Sequence, residues 1–86
     1  MGKWSVYIVR CRTGHLYTGY TNNVTRRLKE HNSGIGSKFT RARRPVALVY
    51  SETHRSRSKA LSREVSIKRM ARSKKLALIQ EAKKRK

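Results

Sequence analysis

Twenty-three lysines and arginines stand against four acidic residues, a formal charge of +19 on 86 residues. Such a chain repels itself. Any fold it adopts must spread that charge over its surface and gather a thin set of apolar residues, 36% of the total, into one core. A second core does not fit in this length, so a single domain over residues 1–83 with a basic tail over 84–86 is expected. The same repulsion points outward, to a polyanionic partner, and nucleic acid is the commonest one. A merely soluble basic surface would mix both signs of charge.

Composition also excludes several classes. Cys11 is the only cysteine, so no internal disulfide forms, and with only three separated histidines no Cys/His zinc finger does either. A reducing cytoplasm fits this usage. The apolar stretch from Trp4 to Cys11 is too short for a signal peptide or a membrane span and is followed by Arg12. No membrane partner is expected.

Along the chain, Trp4, Val6 and Ile8 alternate with Ser5, Tyr7 and Val9, which predicts a strand. Arg12-Thr13-Gly14-His15 supplies a turn, and Leu16 to Tyr20 returns as the hairpin partner. Thr21, Asn22 and Asn23 are candidate N-caps for a helix running to about His31 or Asn32, with Val24 and Leu28 opening its apolar stripe. Ile35 to Arg44, with two glycines and a cluster of cations, reads as an exposed loop closed by Pro45. Val46 to Ser51 is a nearly continuous apolar run and reads as the central, best buried strand. Ser56 or Ser58 can cap a helix from about Lys59 to Arg72, and a last helix carries Leu76, Leu78 and Ile79. The order predicts an α+β domain with a small sheet packed on helices.

Two anomalies carry chemistry. Advancing about 100° per residue places Glu64 between Ala60, Leu61 and Ala71, in the apolar sector of its own helix. Lys59, Arg63 and Arg69 lie opposite, where ordinary design would also have put Glu64. A buried ion pair would explain it; so would a hard-metal ligand, which a phosphodiesterase needs. Second, Asn23, Arg27 and His31 lie four apart on one helix face. Arginine's planar fork suits phosphate oxygens, and histidine exchanges protons near neutral pH. On spacing alone the pair is ordinary. Tyr7 and Tyr17 stand on the two hairpin strands, where tyrosines usually form a packing pair; their hydroxyls matter if they meet Arg27, His31 and Glu64 in one cleft, where cations could lower a phenol pKa. Gly34-Ile35-Gly36-Ser37-Lys38 lacks the spacing of a nucleotide cradle and reads, with Arg41, Arg43 and Arg44, as a wall for a nucleic-acid backbone. Asn23, Lys38 and Lys68 join that binding surface. His15 and His54 are expected in turns, and Cys11 as a strand hydrophobe.

Taken in order, Tyr7, Tyr17-Thr18-Gly19, Arg27, His31 and Glu64 resemble the GIY-YIG nuclease family, in particular its small stand-alone bacterial members. Trp4 to Met70 is covered, and Leu16-Tyr17-Thr18-Gly19-Tyr20-Thr21-Asn22 followed by Arg27 and His31 is the most specific part. Ser5-Val6-Tyr7 stands where Gly-Ile-Tyr would be, and Tyr17-Thr18-Gly19 where Tyr-Ile-Gly would be. The resemblance implies a three-stranded antiparallel sheet flanked by helices and one Mg²⁺, with Mn²⁺ as a substitute, held by Glu64. It implies DNA phosphodiester hydrolysis, with Tyr7 or His31 serving the attacking water, Tyr17 in the same cluster and Arg27 on the phosphate. Single-stranded, duplex and branched DNA all stay open, as does a monomer or weak homodimer. The rival reading is a non-catalytic basic module that binds RNA or the ribosome, but such a binder has no need of a carboxylate beside phosphate.

Overall fold

Val6, Tyr7, Ile8 and Val9 are all buried, which a strand achieves only when both faces are covered and both edges paired. A computed structural model, describing residues 3–84, places them in the middle of the sheet. Strand β1 (Trp4–Cys11) pairs antiparallel with β2 (Leu16–Thr21) on one side and with β3 (Val46–His54) on the other, in the order β2-β1-β3. The expectation that Val46–Ser51 forms the central strand is therefore corrected. β3 is an edge strand on which Ala47, Leu48 and Ser51 are exposed, and β1 takes the central place because its alternating residues feed two cores. The hairpin turns at Gly14, whose φ of 90° only glycine adopts without strain.

The fold is α+β, a three-stranded antiparallel sheet with helices on both faces. On one face, α3 (Arg57–Lys68) and α4 (Arg72–Lys84) close over Val6 and Ile8 with Ala60, Ile67 and Ile79. On the other, α1 (Val24–Ser33) and the short α2 (Lys38–Arg41) lie near Tyr7, Val9, Cys11 and Val46, with Leu28, Tyr17 and Phe39 packed against them. Asn23 caps α1 by accepting from the Arg26 amide, and Ser56 caps α3 through Lys59.

Three boundaries differ from the sequence expectation. The helix predicted over 59–72 ends at Lys68, and the chain breaks before α4, so Ala71 is not on Glu64's helix; Leu61 is exposed as well. The buried stripe is instead Ala60, Glu64 and Ile67, at ordinary i, i+4, i+7 spacing. The exposed loop predicted over 35–44 contains α2, capped by Ser37, with Thr40 fully buried. His54 ends β3 instead of sitting in a turn, and pairs with Glu52. The tail expected over 84–86 lies, beyond Lys84, outside the described residues. No described helix is long and apolar enough to cross a membrane.

Candidate active site

Tyr7 leaves the middle of β1 toward α1, and its ring crosses directly over Gly19 of the neighbouring strand, its register partner. That crossing explains the glycine: a Cβ at position 19 would stand 2.5 Å from the Tyr7 hydroxyl oxygen and 2.7 Å from Cζ. The Tyr7 hydroxyl reaches His31 Nε2 at 2.8 Å, and both residues are buried. His31 in turn sets Nδ1 2.8 Å from Thr40 Oγ1, and Thr40 Oγ1 lies 2.9 Å from Ser37 Oγ. One proton arrangement satisfies the whole row. Tyr7 O–H donates to Nε2, Nδ1–H donates to Thr40, and Thr40 donates to Ser37.

Charge sharpens this arrangement. Burial pushes the Tyr7 phenol up to about 12, outweighing the pull of the nearby Arg27 guanidinium. The expectation that cations lower this phenol is thus reversed, because desolvation of a phenolate costs more here than one arginine returns. Burial, reinforced by Arg27, holds His31 below its ordinary value, so the imidazole is neutral near pH 7 and its Nε2 lone pair is free to accept.

Tyr17 joins from β2. Its ring lies 5.2 Å from that of His31, edge on, and it stacks against Phe39 at 5.9 Å. Lys68 also sits over Tyr17, with Nζ 5.9 Å from the ring centre and 2.9 Å from Glu64 Oε2. Glu64 therefore borders the cluster through Lys68 and Tyr17. Glu64, 8% exposed as a residue, makes no other ion pair or side-chain hydrogen bond among the described residues. Arg27 gives Nη1 to Glu30 at 2.9 Å and Nη2 to the Gly36 carbonyl at 3.0 Å, which aims the guanidinium alongside Tyr7. Gly36 is constrained too, since a Cβ there would meet the His31 Cα at 2.7 Å.

The chosen binding residues divide. Lys38 and Arg41 are exposed, and their side chains make no bond among the described residues. Arg43 is occupied, its guanidinium 4.0 Å above Phe39 and donating to the Phe39 carbonyl, while Arg44 donates to Arg41 O. Asn23 spends its side-chain oxygen on the α1 cap, and Lys68 its charge on Glu64. The residues that composition and spacing did not single out are Thr40, Ser37, Gly36 and Glu30. Ser37-x-x-Thr40 at a helix start was the available signal, a cap pattern hidden inside a segment rich in glycine and cations.

Among the described residues no three His, Cys, Asp or Glu side chains converge into a ligand cage. Glu64 alone suits a hard cation that keeps most of its waters and shares substrate phosphate, and it does not suit a fully protein-ligated metal such as structural zinc.

Known proteins extend the comparison. The UPF0213 protein SERP0126 of Staphylococcus epidermidis is 53% identical over 81 residues, 94% of this chain and 99% of that one. The UPF0213 protein SH2523 of Staphylococcus haemolyticus is 52% identical over the same span. The solution NMR structure of the UPF0213 protein BH0048 from Bacillus halodurans superposes with a TM-score of 0.59 at 42% identity, covering 91% of this chain and 83% of that one. That of the protein EF2693 from E. faecalis gives 0.60 at 36% identity, covering 98% and 90%. The GIY-YIG catalytic domain matches residues 3–77, and this chain belongs to the GIY-YIG family.

Proposed function

We propose that this protein is a metal-dependent endonuclease that hydrolyses DNA phosphodiester bonds, acting on single-stranded or structured DNA in the cytoplasm. The observation that carries the reading is the buried Tyr7–His31 hydrogen bond of 2.8 Å, backed by Thr40 and flanked by Arg27. A histidine whose burial keeps it neutral, oriented through its second nitrogen and presenting a lone pair to a hydroxyl, is arranged to take a proton.

Neither Tyr7 nor His31 suffices alone. A phenol raised to about 12 is protonated at neutral pH and accepts no proton from water unless it loses its own at the same moment. His31 Nε2 is the acceptor for that second proton. The pair acts as one base: water gives its proton to the Tyr7 oxygen as the Tyr7 proton passes to Nε2, the hydroxide attacks phosphorus, and the P–O3′ bond opposite breaks, its electron pair leaving on the 3′ oxygen, which takes a proton from solvent. The Nδ1–H bond to Thr40 fixes the tautomer and steadies the imidazolium that forms. Arg27, its side chain 28% exposed, balances charge gathering on the phosphate. Glu64 would hold Mg²⁺, or Mn²⁺ in its place, and such a cation would supply positive charge to offset the negative charge that builds up as the phosphodiester breaks. Lys68 holds that carboxylate as a counter-ion and turns toward phosphate when released.

The second reading, a non-catalytic RNA- or ribosome-binding module, draws on the +19 charge and on the ion pair that already satisfies Glu64. Labelled single-stranded, duplex and branched DNA, incubated with Mg²⁺ and the protein, Glu64→Ala or Arg27→Ala at matched folding, separate the two. Cutting that needs Mg²⁺ and is lost in both variants is expected; tight binding with no cutting by the unaltered protein would favour the module.

A further inference from the structure

Outside the Tyr7 cluster, Trp4 and Tyr20 emerge at the end of the sheet on the α3 face, their ring centres 6.1 Å apart and tilted by 31°. Both pack against the Val6/Ile8 core on one side and are only half-buried. Arg57, at the start of α3, holds its guanidinium 5.8 Å from each ring and donates to the Tyr20 hydroxyl at 3.4 Å. The contrast with Arg43, closed onto Phe39 at 4.0 Å, is informative: Arg57 stands about 2 Å farther off, at the outer edge of cation–π range over both rings. Beside these groups lies a depression of about 440 Å³ lined by Trp4, Tyr20, Asn22, Arg26, Arg27 and Arg57. Its one carboxylate, Glu30, is already shared by Arg26 and Arg27.

We propose that Trp4, Tyr20 and Arg57 form a stacking subsite for one unpaired nucleobase of the strand being cut. The inference rests on the nuclease reading and adds to it where the neighbouring nucleotide goes. Aromatic faces offer every base a stacking surface, and arginine planes close over bases from the other side, whereas a base inside a duplex is already stacked on its neighbours. Arg27 belongs both to the depression and to the Tyr7 cluster, so a phosphate at Arg27 brings an adjacent base over Trp4 and Tyr20. Arg57 and Glu64 lie seven residues apart on one face of α3, about 10 Å along its axis, within reach of a neighbouring nucleotide. The substrate class that follows is DNA with an unstacked nucleotide beside the scissile bond: a single strand, a frayed end or a branch.

Trp4 is the only tryptophan, so its fluorescence reads the subsite directly. In metal-free buffer containing EDTA, a short oligothymidylate should quench Trp4, and an abasic strand of equal length and charge should not. The preference for oligothymidylate over the abasic strand should fall about tenfold in Tyr20→Ala and in Arg57→Ala. Arg57 is exposed at the helix start, so its variant keeps the test meaningful if Tyr20→Ala melts early. Equal quenching and equal affinity for the two strands would overturn the proposal. Because nothing is cut in this assay, base-dependent quenching by a protein that never cleaves DNA would fault the nuclease reading alone. Cleavage without base-dependent quenching would fault the subsite alone.

Discussion

Replacing Gly19 by alanine tests whether the close crossing of Tyr7 over β2 holds the site together. The backbone at Gly19 has no positive φ, so alanine is accommodated there and even removes some unfolded-state freedom, a gain of about 0.4–1 kcal/mol. Against this, the new methyl would stand 2.5 Å from the Tyr7 hydroxyl, and the ring would have to retreat by about 1 Å to reach ordinary contact. Tyr7 is 2% exposed and His31 is 0% exposed, so no solvent-facing slack exists. Overpacking costs about 1–3 kcal/mol, and stretching the 2.8 Å Tyr7–His31 bond past bonding range leaves buried polar groups worth about 1–3 kcal/mol more. The net is a loss of about 1–6 kcal/mol, and its midpoint of about 3 kcal/mol is read in thermal melts as a fall of about 12–24 °C for a domain of this size. Cleavage should drop about 100-fold, the usual consequence of misplacing a reacting group by an ångström. In a Tyr7→Leu background the same substitution should cost markedly less, since the ring it strikes is gone. An unshifted melting temperature, or an equal cost in both backgrounds, would refute the reasoning.

Other consequences follow from the same geometry. Thr40→Val keeps shape but leaves His31 Nδ1–H without its acceptor, so stability should fall by about 1–3 kcal/mol and the rate should drop with little change in KM; an unchanged rate would remove Thr40 from the proton row. His31 is held below its ordinary value, so the unfolded chain binds its proton first as pH falls; stability at high salt should be fully present above pH ~6.5 and decline below it, and His31→Gln should flatten that slope in urea titrations. Tyr7 is raised, which reverses the sign: its contribution persists below pH ~10 and is lost toward 12, so the alkaline absorbance titration should contain a late phenol step that Tyr7→Phe removes. Glu52 accepts from Tyr50, His54 and Arg63 on the α3 face; Glu52→Ala should cost about 1–3 kcal/mol in stability yet leave cleavage intact, and a comparable loss of cleavage would show that this cluster reaches the active site.

The helix readings worked where one rule decided the outcome. Asn23 and Ser56 are caps because their oxygens reach the amides three residues on; the sequence narrows the caps to Thr21, Asn22 or Asn23 and to Ser56 or Ser58, and the structure chooses among them. Glu64 was found for a sound reason with faulty neighbours. It is buried beside the expected Ala60, but with Ile67 in place of Leu61 and Ala71, since Leu61 is exposed and the helix stops before Ala71. The apolar run Val46–Ser51 does not reveal that β3 is an edge strand, because such a run looks alike at an edge and in the middle. The decisive property of β1 is that both of its alternating sets are apolar enough to feed separate cores, and Tyr7 counts in one of them.

Tyr7 also shows what a sequence cannot weigh. Its neighbours Arg27 and His31 were legible as a cationic pair, and cations lower a phenol, whereas burial raises it; the outcome depends on depth. Gly19 and Gly36 settle that depth. One lets the Tyr7 ring pass close against β2, and the other lets the segment leading into α2 press against His31. Burial at these two positions keeps the phenol protonated and the resting imidazole neutral. That pairing is what makes a weak base useful at neutral pH. A Tyr7 phenolate standing free would instead hold the nearest cation, Arg27, and leave the phosphate without it.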